Sequence, residues 1–237
     1  MMDKEKITAD VNAAKQNADV IIVFPHWGTE NSTSVSDYQR EYVQLFSDLG
    51  VDIVIGTHPH VLQPVEWVEN ETTGKKMLVY YSLGNFISHQ TSLNQLCGGM
   101  AEIKIEKKNG EISITSAKLV PVVCWYKSSG DKYEFSVYKL SDYTDSIADS
   151  HAQRSNGATP DYFREYASDI VSDEFLDMDD CKKCTNEQIF QCVKITSQTK
   201  LKKSIDFSWI EKYNDIVFRT KAFRSFSECL FIFYEEY

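Results

Sequence analysis

Three of the five histidines in this 237-residue chain stand where apolar runs break into polar residues. His26 ends Val20-Ile-Ile-Val-Phe-Pro-His26, and Trp27-Gly28-Thr29-Glu30 follow it. His58 and His60 follow Asp52-Ile-Val-Ile-Gly-Thr, in a segment that runs on to Gln63. A third run, Leu78-Val-Tyr-Tyr, leads into Ser82, Gly84 and Asn85. Neutral imidazoles suit borderline divalent cations such as zinc, manganese or iron. In open α/β sheets, ligands bind outside the carboxyl ends of the strands. Such an arrangement is the layout of a metal-dependent site.

Each residue also has a plainer reading. In an extended backbone His58 and His60 point to the same side, and Pro59 keeps His58 out of helical geometry. A pair of hydrogen-bonded histidines at a strand end fits the same letters. His26 fits either a ligand or a histidine packed beside Trp27. Glu30 is read as an acceptor orienting His26 or as a solvated loop carboxylate. Asn85 is read as a ligand, a substrate contact or part of a Gly84-Asn85 turn. His89 and His151 lack a matching context and read as surface or structural.

The elements that must hold these residues follow from pattern. Four- to six-residue runs of β-branched and aromatic residues bounded by Gly and Pro predict buried strands. Ile7, Val11, Ala14 and Ala18 predict a helix entering the first strand. Ser36 and Gln39 have capping-box spacing ahead of an apolar stripe of Tyr38, Tyr42, Leu45, Phe46 and Leu49 that stops at Gly50. Strand, helix, strand at this spacing predicts a parallel pair. Residues 69–76 read as a polar loop. Ala101, Ile103 and Ile105 alternate up to Asn109-Gly110, and Ile112 and Ile114 alternate back, which predicts a hairpin. Leu119 to Trp125 continues extended. Thr159 and Pro160 open a helix lined by Phe163, Tyr166, Ile170 and Val171.

Composition narrows the function. An apolar content of 42% and a charged content of 25% are those of an ordinary globular chain. A net charge of -10 argues against nucleic acid, which needs a basic patch. No apolar stretch approaches the roughly 20 residues of a membrane span. Met1 to Lys6 lack the apolar core of a signal peptide, so the chain as written reads as neither exported nor anchored.

Residues 182–237 differ in character, with ten Lys/Arg against seven Asp/Glu and no Gly or Pro. Their aromatics show no clear amphipathic period, so this tail is expected to be dispensable for the core. Cys181-x-x-Cys184 with Cys192 lacks a fourth ligand at usual zinc spacing before Cys229, which argues against a zinc knuckle.

Taken together, His26-Trp27-Gly28-x-Glu30, Gly56-x-His58-Pro59-His60-Val61-x-Gln63 and Tyr81-Ser82-Leu83-Gly84-Asn85-Phe86-Ile87 resemble the later motifs of the capsule-synthesis CapA family. This is also known as the poly-γ-glutamate synthesis family, with a metallophosphoesterase-like (calcineurin-like) fold. The resemblance covers Lys6 to Val123 clearly. It implies an α/β fold of mixed sheets flanked by helices, N-terminally incomplete, with a helical C-terminal extension. It assigns residues 1–125 to the family domain, 126–180 to the extension and 181–237 to a tail of unclear origin. His26, His58 and His60 match metal-ligand positions; Gln63 and Asn85 match site-lining positions, and Ser82 and Glu30 lie beside them.

The resemblance has a gap. The family's Gly-Asp and Asn-His segments, which supply the anionic ligands of a two-metal site, have no counterpart in Met1 to Ala18. The expected consequences are one weakly held cation (Mn, Zn or Fe), an uncovered sheet edge and little phosphoesterase activity from this chain alone. The implied role is synthesis, export or remodelling of an anionic capsule polymer such as poly-γ-glutamate at the cell envelope. A non-catalytic module binding polymer or a partner through a degenerate site is the alternative.

Overall fold

A computed structural model describes residues 2–130 and 132–178, and the backbone of three later strands at 192–197, 217–218 and 229–235. In chain order the described elements are α1 (Lys4–Ala14), β1 (Val20–His26), α2 (Asp37–Asp48), β2 (Ile53–Ile55), β3 (Val65–Glu69), β4 (Lys76–Tyr80), β5 (Cys97–Lys108), β6 (Glu111–Ser129), β7 (Lys132–Lys139), α3 (Asp145–Ala148), α4 (Pro160–Ile170), β8 (Cys192–Ser197), β9 (Val217–Phe218) and β10 (Cys229–Glu235).

The strand period of two decides the layering. Along β1, Val20, Ile22 and Phe24 enter one core, while Ile21 and Val23 enter another. Burial on both faces is the rule for parallel strands, and β1, β2 and β4 run parallel, with β3 antiparallel on the margin. One face of this sheet is covered by Ile7, Val11 and Ala14 of α1 and by Tyr42, Val43 and Phe46 of α2. The other face packs on a second sheet, through Ala101, Ile103, Leu119 and Val123, and Phe163 and Ala167 of α4 join that core. Each such fully buried apolar side chain contributes about 1.5–3 kcal/mol. The fold is α/β, with one mixed sheet sandwiched between helices and a second sheet.

Local signals place the helix starts. Asp3 caps α1 by accepting from the Glu5 and Lys6 amides. Ser36 and Gln39 form a full capping box on α2. Thr159 caps α4, with Pro160 in its first turn. The polar segment 69–76 is the turn between β3 and β4, closed by the Asn70 amide donating to the Lys75 carbonyl at 2.8 Å. β5 and β6 form the hairpin around Asn109-Gly110.

Three expectations are corrected. Residues 126–180 are not helical throughout, because the end of β6 and all of β7 precede α3 and α4. Lys-Tyr-Glu-Phe-Ser-Val-Tyr-Lys alternates polar with apolar, which is a strand period. The tail is not outside the fold: β8 pairs parallel with β5, and β10 pairs parallel with β1 from Val20↔Cys229 to His26↔Glu235. An uncovered sheet edge is expected from the sequence; at β1 that edge is occupied by β10. The run Cys229-Leu-Phe-Ile-Phe-Tyr suits a strand beside a doubly buried one, and it shows no helical period because it is not a helix. Cys181 and Cys184 lie outside the described residues. No helix among the described residues is long and apolar enough to cross a membrane.

Candidate functional site

The carboxyl ends of β1, β2 and β4 are laced together by main-chain hydrogen bonds. The Trp27 amide donates to the Thr57 carbonyl (3.1 Å), the Gly56 amide to Tyr80 (2.7 Å), and the Leu83 amide to Gly56 (3.2 Å). Behind them the buried Trp27 indole N–H donates to the Tyr81 carbonyl at 2.9 Å. Gly56 makes this approach possible, since a Cβ there would lie 2.0 Å from the Tyr81 oxygen and 2.4 Å from the Trp27 Nε1. The glycine and the tryptophan thus bring the three polar loops into one rim.

On that rim His26 Nε2 and His58 Nδ1 stand 2.9 Å apart, with ring centroids at 4.6 Å. The other nitrogen of His26, Nδ1, lies 3.4 Å from Thr57 Oγ1. His60 turns elsewhere: its Nδ1 is 2.9 Å from Asn85 Oδ1, and its Nε2 is 3.9 Å from Glu30 Oε1. The orientation of Asn85 is fixed independently. Its Nδ2 donates to the Gln95 carbonyl (3.0 Å) and to Gln90 Oε1 (2.6 Å). A main-chain carbonyl only accepts, so the oxygen of Asn85 must face His60, and His60 Nδ1 carries the proton. That leaves a lone pair on His60 Nε2, the usual state of a histidine ligand oriented from behind.

The backbone of the histidine loop is not extended. His58 has φ +100° and His60 φ +62°. Side chains two apart therefore do not share one side, and the His58 and His60 centroids are 6.2 Å apart. Left-handed conformations in residues other than glycine cost on the order of 1–3 kcal/mol and cluster at functional sites. The Pro59 carbonyl is anchored by the Asn31 amide at 2.8 Å, which helps to hold the turn.

The remaining expected residues divide. Glu30 faces His60 rather than His26, and it is mostly exposed. Ser82 is fully buried and donates to the Val61 carbonyl at 2.8 Å, so it braces the loop instead of facing the rim. Gln63 is also fully buried and reaches the carbonyls of Ser32 and Ser34. His151 is buried beneath Tyr126 and Tyr143, as a structural residue would be, and His89 lies exposed against Tyr133. Thr57, Asn31, Gln90 and Gln95 escaped the sequence reading. Their signal is contact across 5 to 64 positions, which no local motif carries.

Among the described residues, no three His, Cys, Asp or Glu side chains stand together as a finished metal cage. Imidazole nitrogens are donors of the type that borderline cations take. Two nitrogens bound to one tetrahedral zinc at about 2.0–2.1 Å lie about 3.3 Å apart, close to the His26–His58 separation. His60 is the oriented third candidate. A cleft of about 380 Å³ lies at the other end of the sheet, among Val20, Asp52, Trp67, Lys75 and Ile114. Its β1 residue, Val20, is six positions from His26, so the cleft lies away from the histidine rim.

Residues 2–90, which contain the whole rim, match the family model "Bacterial capsule synthesis protein PGA_cap". The likeness to this family is confined to that segment. It is similar to the PGA biosynthesis protein CapA of Bacillus subtilis (strain 168), with 38% identity over 108 residues, covering 46% of this chain and 27% of the relative. It is also similar to the capsule biosynthesis protein CapA of Bacillus anthracis, with 36% identity over 86 residues, or 36% of this chain and 20% of the relative. The matched segment thus spans about a quarter of these curated relatives.

Proposed function

We propose that this chain acts in capsule polymer biosynthesis at the cell envelope, through a cation-dependent rim built on His26, His58 and His60. The observation that carries the reading is the approach of His26 Nε2 to His58 Nδ1 at the carboxyl ends of parallel strands, inside the segment matched to the capsule family. His60, oriented by Asn85, is the third ligand. A divalent cation (Zn, Mn or Fe) held there supplies Lewis acidity toward an oxyanion of a phosphoester or of an anionic polymer such as poly-γ-glutamate. Asn85 holds His60 in its ligand tautomer, Thr57 lies beside the outer nitrogen of His26, and the Trp27 indole closes the rim from behind through the Tyr81 carbonyl.

A second reading has its own support. Among the residues whose side chains are described, Glu30 is the carboxylate recorded beside these histidines, and it reaches His60 only at 3.9 Å. Two cations held a few ångströms apart need anionic ligands to offset their repulsion. One cation in a neutral site suits binding of an anionic polymer or a partner without turnover.

Calorimetric titration with zinc tests the proposal, comparing the full chain with His58→Ala plus His60→Ala. The expected result is weak binding by the unsubstituted chain and none by the variant. Equal affinity for both removes the histidines from the site.

A further inference from the structure

Two buried glutamines lie behind the rim, and neither belongs to a hydrophobic core. Gln39 and Gln63 are both fully buried. Gln39 Nε2 donates to Gln63 Oε1 at 2.7 Å. Gln63 Nε2 donates to the Ser32 carbonyl at 3.0 Å and to the Ser34 carbonyl at 2.9 Å. Gln39 Oε1 accepts from the Ser36 amide at 3.0 Å and from the Ser36 hydroxyl at 3.1 Å. Both amide orientations are forced. The two serine carbonyls accept only, so the nitrogen of Gln63 must face them, and its oxygen then faces Gln39. Flipping either amide sets like groups against each other.

The pair ties three segments that carry the site. Ser32 and Ser34 sit on the loop that bears His26 and Glu30, Ser36 is the cap of α2, and Gln63 closes the loop of His58 and His60. Gly28, at φ +92°, lets the first loop pass directly over Gln39, because a Cβ there would lie 2.9 Å from the Gln39 amide carbon. The left-handed turn at His58 and His60 is thus bounded on one side by the Asn31–Pro59 contact and on the other by Gln63.

We propose that Gln39 and Gln63 are positioning residues that clamp the His26 loop to the His58–His60 loop and set the spacing at which the imidazoles can share one cation. The inference rests on the cation reading above and names what builds that site. A capping box alone does not require Gln39 to be fully buried or to spend its amide nitrogen on a residue 24 positions away. Nor does core packing account for a buried glutamine at position 63, whose amide is spent on Gln39 and on the Ser32 and Ser34 carbonyls.

The test uses the full chain and zinc as the probe. In Gln39→Met plus Gln63→Met the pair becomes apolar at similar volume, while the Ser32 and Ser34 carbonyls and the Ser36 amide lose their glutamine partners, which lowers stability. The expected result is a folded variant with a lowered melting temperature and a zinc affinity about 10–100-fold lower, the range found when groups behind metal ligands are removed. Should that variant not fold, hydrogen exchange of the Gln63 side-chain amide in the unsubstituted chain reads the same clamp. Saturating zinc is expected to slow it. Unchanged zinc affinity in the folded double variant, or exchange indifferent to zinc, overturns the clamp. Loss of binding in His58→Ala plus His60→Ala alongside either of those results leaves the cation reading standing. Equal affinity in the histidine variant overturns that reading and the clamp with it.

Discussion

His60 Nδ1 and Asn85 Oδ1 meet at 2.9 Å across 25 positions of sequence, and the contact joins the loop after β2 to the loop after β4. It settles the tautomer of His60, because Asn85 is itself held by Gln90 and the Gln95 carbonyl. Asn85→Ala removes this orientation while leaving every imidazole in place. Zinc affinity measured by calorimetry should fall by about 10–100-fold, with little change in melting temperature. Unaltered affinity would show that His60 needs no support from behind.

Gly56→Ala should be among the most damaging small substitutions in the chain. The added methyl would lie 2.0 Å from the Tyr81 carbonyl oxygen, a main-chain atom inside the sheet. Overpacking typically costs about 1–3 kcal/mol, and backbone that cannot yield puts this site at the upper end. Chemical denaturation reads the loss. A midpoint equal to that of the unsubstituted chain would mean the strand ends are looser than described.

Trp27→Phe keeps the ring buried but removes the N–H that Tyr81 accepts. A carbonyl left without its donor in a buried setting costs about 1–3 kcal/mol. Urea unfolding should show that drop with an unchanged slope.

Much of this was legible beforehand, for reasons specific to each element. β1, β2 and β4 are runs of apolar β-branched and aromatic residues, and the Ser36–Gln39 spacing announces its helix directly. β3 was not legible, since Val-Glu-Trp-Val-Glu mixes charge with apolar residues on a half-buried strand, whereas the alternation of Lys-Tyr-Glu-Phe-Ser-Val-Tyr in β7 was readable and overlooked. His26, His58 and His60 stood out by type and position. Their arrangement did not, because propensity does not place histidine at φ +100°, and the contacts that hold it there come from Asn31 and Gln63.

His151 gives the stability a pH dependence. Its Nδ1 accepts from the Gln153 amide at 2.9 Å, so the proton sits on Nε2, facing the Cys124 carbonyl at 3.2 Å. Burial lowers its pKa below the ordinary value of 6.5. The unfolded chain then binds more protons than the folded one, so stability rises with pH. The contribution is complete above the unfolded value and is lost as pH falls below it toward the folded value. Thermal melts between pH 8 and 5 should show a flatter dependence in His151→Gln than in the unsubstituted chain. Parallel curves would assign the slope to other groups.

Truncation after Asp180 removes the strands paired with β1 and β5. Bare strand edges recruit other chains. The shortened protein should self-associate on size-exclusion chromatography and melt more than about 4 °C lower, beyond roughly 1 kcal/mol for a chain of this size. A monomer of unchanged stability would remove β8 and β10 from the working fold.

The central claim is that His26, His58 and His60 together hold one cation. X-ray absorption at the zinc edge of the zinc-loaded full chain tests it most directly, alongside His26→Ala, His58→Ala and His60→Ala. The predicted result is imidazole scattering from three nitrogens at about 2.0–2.1 Å, falling to two in each single variant. A nitrogen count that none of the three substitutions alters would contradict it.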